Sequence, residues 1–88
     1  MAKTNFQKKS FFTYRAIIEP DERNTFHAYI PALPGCHTWG SLIAEARKHL
    51  REAALLYLAS VLEDKEHVPQ EEGFEFVETF SADEVKAA

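Results

Sequence analysis

Between Ser41 and Asp64 the chain carries neither glycine nor proline, while Ile43, Ala46, Leu50, Ala53, Ala54, Tyr57 and Val61 recur at three- and four-residue spacing. That is the period of one face of an α-helix. The stretch predicts a helix of about 24 residues, roughly 36 Å long, with Ser41 as its N-cap. Its first half has a charged side built from Glu45, Arg47, Lys48, His49, Arg51 and Glu52, whereas Ala53 to Ala59 is apolar around the whole circumference. A helix apolar all round is covered all round. One side can lie on a sheet; Leu55, Leu56 and Leu62 point elsewhere and are expected to carry self-association, into a dimer or tetramer. The chain has 88 residues, room for one domain. A domain this small buries only about 60% of its unfolded surface, so assembly would add burial that one copy lacks.

Ahead of the helix the period changes to two. Phe11 to Ile18 is rich in aromatic and β-branched residues, with Phe12, Tyr14, Ala16 and Ile18 on one side, and reads as a strand. Glu19 to Asn24 holds turn formers and no apolar residue. Thr25 to Ile30 alternates again, placing Phe26, Ala28 and Ile30 opposite His27 and Tyr29, so the two strands form a hairpin. Pro31-Ala32-Leu33-Pro34-Gly35 breaks the ladder, because its prolines lack donors and Gly35 can adopt a positive φ. Cys36 to Trp39 leaves room for a short third strand before Gly40. After the helix, Glu63 to Gly73 reads as a charged loop. Phe74, Phe76, Val77 and Phe80, interleaved with Glu75 and Glu78, predict a last strand over 74–80.

The order β-β-β-α-β describes an α+β domain, a three- to four-stranded antiparallel sheet packed against one long helix. Residues 11–80 form that domain, between a flexible basic N-terminal arm, 1–10, and a C-terminal tail, 81–88, that is either frayed or a single helical turn.

Charge is distributed unevenly. Residues 1–62 hold eight basic and five acidic groups (+3), and residues 63–88 hold two basic and nine acidic groups (−7). The acidic end repels phosphate and attracts a basic partner, so direct nucleic-acid binding is disfavoured. One cysteine, Cys36, permits no intrachain disulfide and gives no reason to expect an oxidising compartment. The polar, basic first ten residues do not read as a signal peptide, and the longest apolar run is too short to span a bilayer. The expected location is cytoplasmic, with no membrane association.

The side chains that could do chemistry are scattered. Glu45, His49 and Glu52 fall on one helical face and could ligate zinc, yet mixed charges on an exposed face more often form weak ion pairs. His27, His37 and His67 match no compact ligand spacing. Cys36 and His37 are adjacent, but neighbours on a strand point to opposite faces, so Cys36 reads as a small buried hydrophobe rather than half of a dyad. Glu19, Asp21 and Glu22 crowd carboxylates into a hairpin loop without the fixed positions a cation site requires. No phosphate-binding glycine loop or activated serine appears. No metal, cofactor or enzymatic activity is expected. Trp39 is either a core lid or an exposed aromatic anchor, the lid being the preferred reading.

Tyr14 to Asp21, Phe26 to Gly40, and the pairs Glu45-Ala46 and Glu52-Ala53 together resemble the HicB-like antitoxin family, over about residues 12–70. The most specific part is Pro31, Pro34 and Gly35 followed by Gly40, Glu45 and Ala46. The resemblance implies a partial ribonuclease-H-like fold without that enzyme's catalytic carboxylates. It also implies neutralisation of a small, basic, messenger-RNA-cleaving toxin of the HicA type. Leu42 and Trp39 depart from the family pattern, which commonly has threonine and a small polar residue there. Many family members continue into a DNA-binding module, for which Ser81 to Ala88 is too short.

The expected function is therefore toxin binding, with Glu19, Asp21, Glu22, Glu75 and Glu78 on the partner surface. Two rivals are a stand-alone accessory domain that binds a small ligand or another protein, and a metal-dependent nuclease that relies on Asp21 or Glu22.

Overall fold

The hairpin and the proline-rich turn fold three short strands into one antiparallel sheet: β1 (Ile17–Pro20), β2 (Phe26–Tyr29) and β3 (His37–Gly40), in the order β1-β2-β3. A long helix, α1 (Ile43–Glu63), follows, and a short one, α2 (Ala82–Ala87), stands near the C-terminus. The computed structural model describes residues 10–88. The basic arm expected at the N-terminus falls almost wholly outside that range.

Register decides which side chains meet α1. Ile18 pairs with Ala28 and Ala28 with Thr38, while Phe26 lies between Pro20 and Gly40. Because side chains alternate along a strand, Ile18, Phe26, Ala28 and Ile30 share the face turned to the helix. There they join Leu33, Cys36, Ala46 and Leu50 in one small core, with Tyr14, Ala53, Ala54, Tyr57 and Leu58 packed at its margin.

The turn after β2 is the device that completes this core. Leu33 N–H donates to the Ile30 carbonyl and Cys36 N–H to the Leu33 carbonyl, both at 3.0 Å, so two β-turns follow one another. Each has a proline at its second position, where a φ near −65° is already required. Gly35 occupies the third position of the second turn at φ +83°, the left-handed value that a type II turn demands. Ile30 N–H then donates to the Cys36 carbonyl at 3.2 Å and closes the loop. The result drives Leu33 inward until only 1% of it is exposed.

α1 is 21 residues long, against about 24 expected, and Leu42 rather than Ser41 is its N-cap. A leucine side chain cannot cap, and the Glu45 carboxylate substitutes by reaching back to the Ser41 N–H at 2.5 Å. At the other end Glu66 N–H donates to the Val61 carbonyl and Lys65 N–H to the Leu62 carbonyl, with Lys65 at φ 58°. This is a Schellman ending built on a lysine rather than the usual glycine. Ala46, Leu50 and Val61 are buried as the periodicity predicts. Ile43 is not; 58% of it is exposed. Gly40 is the last residue of β3, so the turn of helix preceding Ala46 has no strand beneath it.

Two expected strand segments do not pair. Sheet pairing of the first strand begins at Ile17 rather than Phe11, leaving residues 10–16 without a partner. The fourth strand expected over 74–80 is also unformed among the described residues, and Phe74, Phe76, Val77 and Phe80 are 69–93% exposed. A strand pattern becomes a strand only by pairing with a neighbour, and 74–80 pairs with none of the described strands. Beyond it, Ser81 begins α2. Its hydroxyl accepts from Glu84 N–H at 3.1 Å, and Asp83 and Glu84 favour the positive end of the helix. The described residues span 62 × 33 × 20 Å with a radius of gyration of 18.1 Å. A compact chain of this length would have about 12 Å, so the C-terminal segment projects from the body.

Candidate functional site

The face of the sheet turned away from α1 carries an unusual set of side chains. Glu19 pairs across to His27, His27 to Trp39, and Tyr29 to His37. Period two therefore puts Glu19, His27, Tyr29, His37 and Trp39 on one outer surface. The His27 ring stacks on Tyr29 at 5.2 Å between centroids and lies 4.9 Å from Trp39, while His37 meets Trp39 edge-on at 5.1 Å. His27 Nε2 is 3.4 Å from His37 Nδ1, a bond in which one nitrogen must carry a proton and the other must not. A groove of about 430 Å³ continues from these rings to Pro34 and Gly35.

Trp39 is thus an exposed aromatic, 46% accessible, and not the core lid expected of it. Its place follows from the register, because the inward positions of β3 are Thr38 and Gly40. Its indole N–H donates to Asp21 Oδ2 at 2.8 Å, and the Glu22 N–H donates to Asp21 Oδ1 at 2.7 Å. The Glu22 amide first, and then the indole, hold the Asp21 carboxyl below the ordinary carboxylate range, so the charge is fixed as well as the position.

The five acidic residues expected on a partner surface do not form one cluster. Glu19, Asp21 and Glu22 sit together around the β1–β2 loop, beside Trp39. Glu75 instead pairs with the Arg15 guanidinium at 3.1 Å, and Glu78 lies on the projecting segment. Nearby, Glu71 accepts from the backbone N–H and the Nε–H of Arg15 and from the Gly73 N–H, at 2.8–3.0 Å. Tyr14 adds a bond from its hydroxyl to the Pro69 carbonyl. These contacts tie the chain after α1 to the start of β1.

Chiefly because of the Arg15 and Gly73 backbone donors, the Glu71 carboxyl is pulled down to about 2. A lowered carboxylate pKa stabilises above its ordinary value and ceases to do so as pH falls through the lowered one. The tie should therefore be complete above pH 4.5 and fade between there and pH 2. A carbon-detected NMR titration of the Glu71 carboxyl would read this directly, and a midpoint near 4.5 would contradict the contacts described.

Reactive chemistry finds little to build on. Cys36 is 5% exposed, and burial raises its thiol pKa, which disfavours the nucleophilic thiolate. His37, its neighbour, faces outward. Glu45 is engaged at the helix start, and His49 Nδ1 lies 2.7 Å from the Trp39 carbonyl, to which it must donate. Among the described residues no three His, Cys, Asp or Glu side chains converge as a metal centre would need, and no helix is long and apolar enough to cross a membrane. What the outer face can do is bind: stacked rings accept a flat cation, and Asp21 supplies the matching charge.

Residues 14–84 match the family described as the HicB_like antitoxin of bacterial toxin-antitoxin system. The chain belongs to that family. Relatives of this HicB-like chain include the UPF0150 protein ssr1765 of Synechocystis sp., 33% identical over 64 residues, which are 73% of this chain and 81% of that one. Another is the UPF0150 protein Ta0767 of Thermoplasma acidophilum, 36% identical over 58 residues, or 66% and 84% of the two chains. Among solved structures, the N-terminal domain of Burkholderia pseudomallei antitoxin HicB is similar, with 28% identity, a TM-score of 0.56, and coverage of 82% of this chain and 76% of that one. The α+β expectation of antiparallel strands on one long helix agrees with this HicB-like architecture.

The six residues singled out for the resemblance have a structural reading. Pro31, Pro34 and Gly35 make the paired turns that bury Leu33. Glu45 holds the start of α1, and Gly40 and Ala46 are the point where that helix touches β3. A Cβ on Gly40 would come within 2.8 Å of the Ala46 Cα and 3.0 Å of the Glu45 carbonyl carbon. All six motif residues thus serve the scaffold. The outer face with Trp39 and Asp21 lies apart from these six residues.

Proposed function

We propose that this chain is an antitoxin that binds and blocks a small, basic, RNA-cleaving toxin of the HicA type, acting in the cytoplasm as a binding protein without an activity or cofactor of its own. Family membership supports an antitoxin role, and the Asp21–Trp39 pair on the outer face is the observation that carries the mode of binding. A toxin that grips RNA must present arginine or lysine at its active surface. One such side chain fits over the Trp39 and His27 rings with its charge against Asp21, and Glu19 and Glu22 add the acidic rim. Occupying the residues that would hold phosphate is sufficient to stop cleavage. Leu55, Leu56 and Leu62, 53–74% exposed on α1, are the proposed self-association patch.

The test is binding of the basic protein encoded beside this chain, by calorimetry at two salt concentrations, with parent, Trp39→Ala and Asp21→Asn. Removal of a central aromatic anchor costs about 2 kcal/mol or more, so Trp39→Ala should weaken binding roughly thirtyfold. Asp21→Asn should weaken it less and reduce its dependence on salt. No binding by the parent would leave the accessory-domain reading; tight binding indifferent to both substitutions would move the interface elsewhere.

A further inference from the structure

We propose that His27 and His37 form an open, two-histidine site on the outer face that binds a zinc ion through Nε2 of the first ring and Nδ1 of the second. The proposal concerns this chain and the metal alone, and rests on none of the toxin binding argued above.

Register brings the two rings together. His27 lies opposite Trp39 and His37 opposite Tyr29, so the histidines are diagonal neighbours on β2 and β3 with their side chains on the same face. Spacing along the chain does not reveal the pair, because ten positions and the double turn separate its members. Their facing nitrogens are 3.4 Å apart. Zinc holds imidazole nitrogens at about 2.0–2.1 Å in a tetrahedral arrangement, which sets two such nitrogens about 3.3–3.4 Å from one another. The separation is already that of two ligands. Square-planar coordination at a similar bond length would bring them to about 2.9 Å, so the spacing favours a tetrahedral ion.

The rings meet at 77°. Seating an ion off the line between the nitrogens requires each ring to turn by about 35°, along a terminal torsion that is broad for histidine. In the present bond one of these nitrogens carries a proton; metal binding moves it to the other nitrogen of the same ring, so both imidazoles bind neutral and none is lost. The surroundings favour the ion as well. Tyr29 stacks on His27 at 5.2 Å and Trp39 lies 4.9 and 5.1 Å from the two imidazoles, so the ligands are held between larger rings and lose little freedom on binding. Glu19 stands opposite His27, and the indole fixes Asp21 beside them. Their carboxylates set up a negative field that attracts a dication. Two protein ligands do not make the closed centre of structural zinc, and water takes the remaining positions.

Zinc chloride titrated into the full chain near neutral pH by calorimetry should bind with a dissociation constant of roughly 1–200 μM, since two ligands supply about half the free energy of a four-ligand site. Long-range proton–nitrogen NMR names the ligands: His27 Nε2 and His37 Nδ1 should shift together, and the nitrogens of His49 and His67 should not. His37→Gln should weaken binding roughly a hundredfold, as one of two ligands is lost, while His67→Gln leaves it unchanged. His37 is exposed, so the variant should keep the fold, which circular dichroism checks. Cobalt(II), which takes the same ligands and quenches a nearby indole, gives a second readout. It should dim Trp39, the single tryptophan, and zinc should restore the emission; His37→Gln should abolish both effects. Absence of saturable binding below about 1 mM zinc, several times the weakest constant expected, would overturn the proposal. So would equal affinity in His37→Gln, or shifts confined to His49 or His67, which mark an adventitious ion only.

Discussion

Replacing Leu33 by alanine is expected to destabilise the fold by about 2–5 kcal/mol, the range for a large aliphatic side chain removed from a packed core. Leu33 is the only large side chain whose exposure falls below 2% among the described residues. A domain of this size has about 4–13 kcal/mol of stability in all. The loss would lower the melting temperature by roughly 10–30 °C. The site has little means of relaxing around the cavity. Pro31 and Pro34 fix φ on either side of Leu33, and the Ile30–Cys36 bond closes the loop. Urea unfolding of parent and variant at one fixed, low protein concentration measures the difference without a contribution from assembly. A cost below about 1 kcal/mol would mean that the double turn is held by its own backbone bonds and not by the side chain it inserts.

How far this architecture could be read from the chain depends on whether each element is specified locally. The Pro-Ala-Leu-Pro-Gly run was legible because proline at the second turn position and glycine at positive φ are requirements of single residues. The body of α1 was legible because a long apolar period needs no knowledge of its partner. Strand ends were not. Phe11 to Ala16 and Phe74 to Phe80 have the composition of strands, but pairing is decided by a neighbour, and neither segment joins the sheet here. The N-cap shifted because Glu45 reaches back to the Ser41 N–H, a return contact that a search for a capping side chain at the start passes over.

The outer face was missed for a different reason. Taken singly, His27 and His37 read as ligands or half of a dyad and Trp39 as a lid. The hairpin pattern already held the signal: two antiparallel strands, each alternating imidazole with aromatic on its outward positions, must stack them when the register aligns. Asp21 could not be placed the same way, since its contact with Trp39 spans three strands and depends on the curl of the loop. The proposed recognition surface and the scaffold thus lie on opposite faces of one sheet. Pro31, Pro34, Gly35, Gly40, Glu45 and Ala46 shape the side against α1, and the outer side chains take no part in that packing.

Gly40→Ala is expected to be the most costly single-methyl change in the chain, at about 1–3 kcal/mol or more, because the atoms in its way are backbone. The added Cβ would sit 2.8 Å from the Ala46 Cα and 3.0 Å from the Glu45 carbonyl carbon, far inside ordinary contact. Side chains can rotate away from such a clash; a helix can only shift as a unit. That shift would lift α1 from β3 at Ala46, loosen the Glu45–Ser41 bond, and open the junction around that fully buried residue. The double variant Gly40→Ala/Ala46→Gly separates this account from a conflict between two methyl groups. If backbone is the obstacle, removing the Ala46 methyl gives no relief, and glycine in the helix adds about 1 kcal/mol of its own. Chemical denaturation of parent, single and double variants decides the matter, and recovery of stability in the double variant would show that the two elements meet through side chains instead.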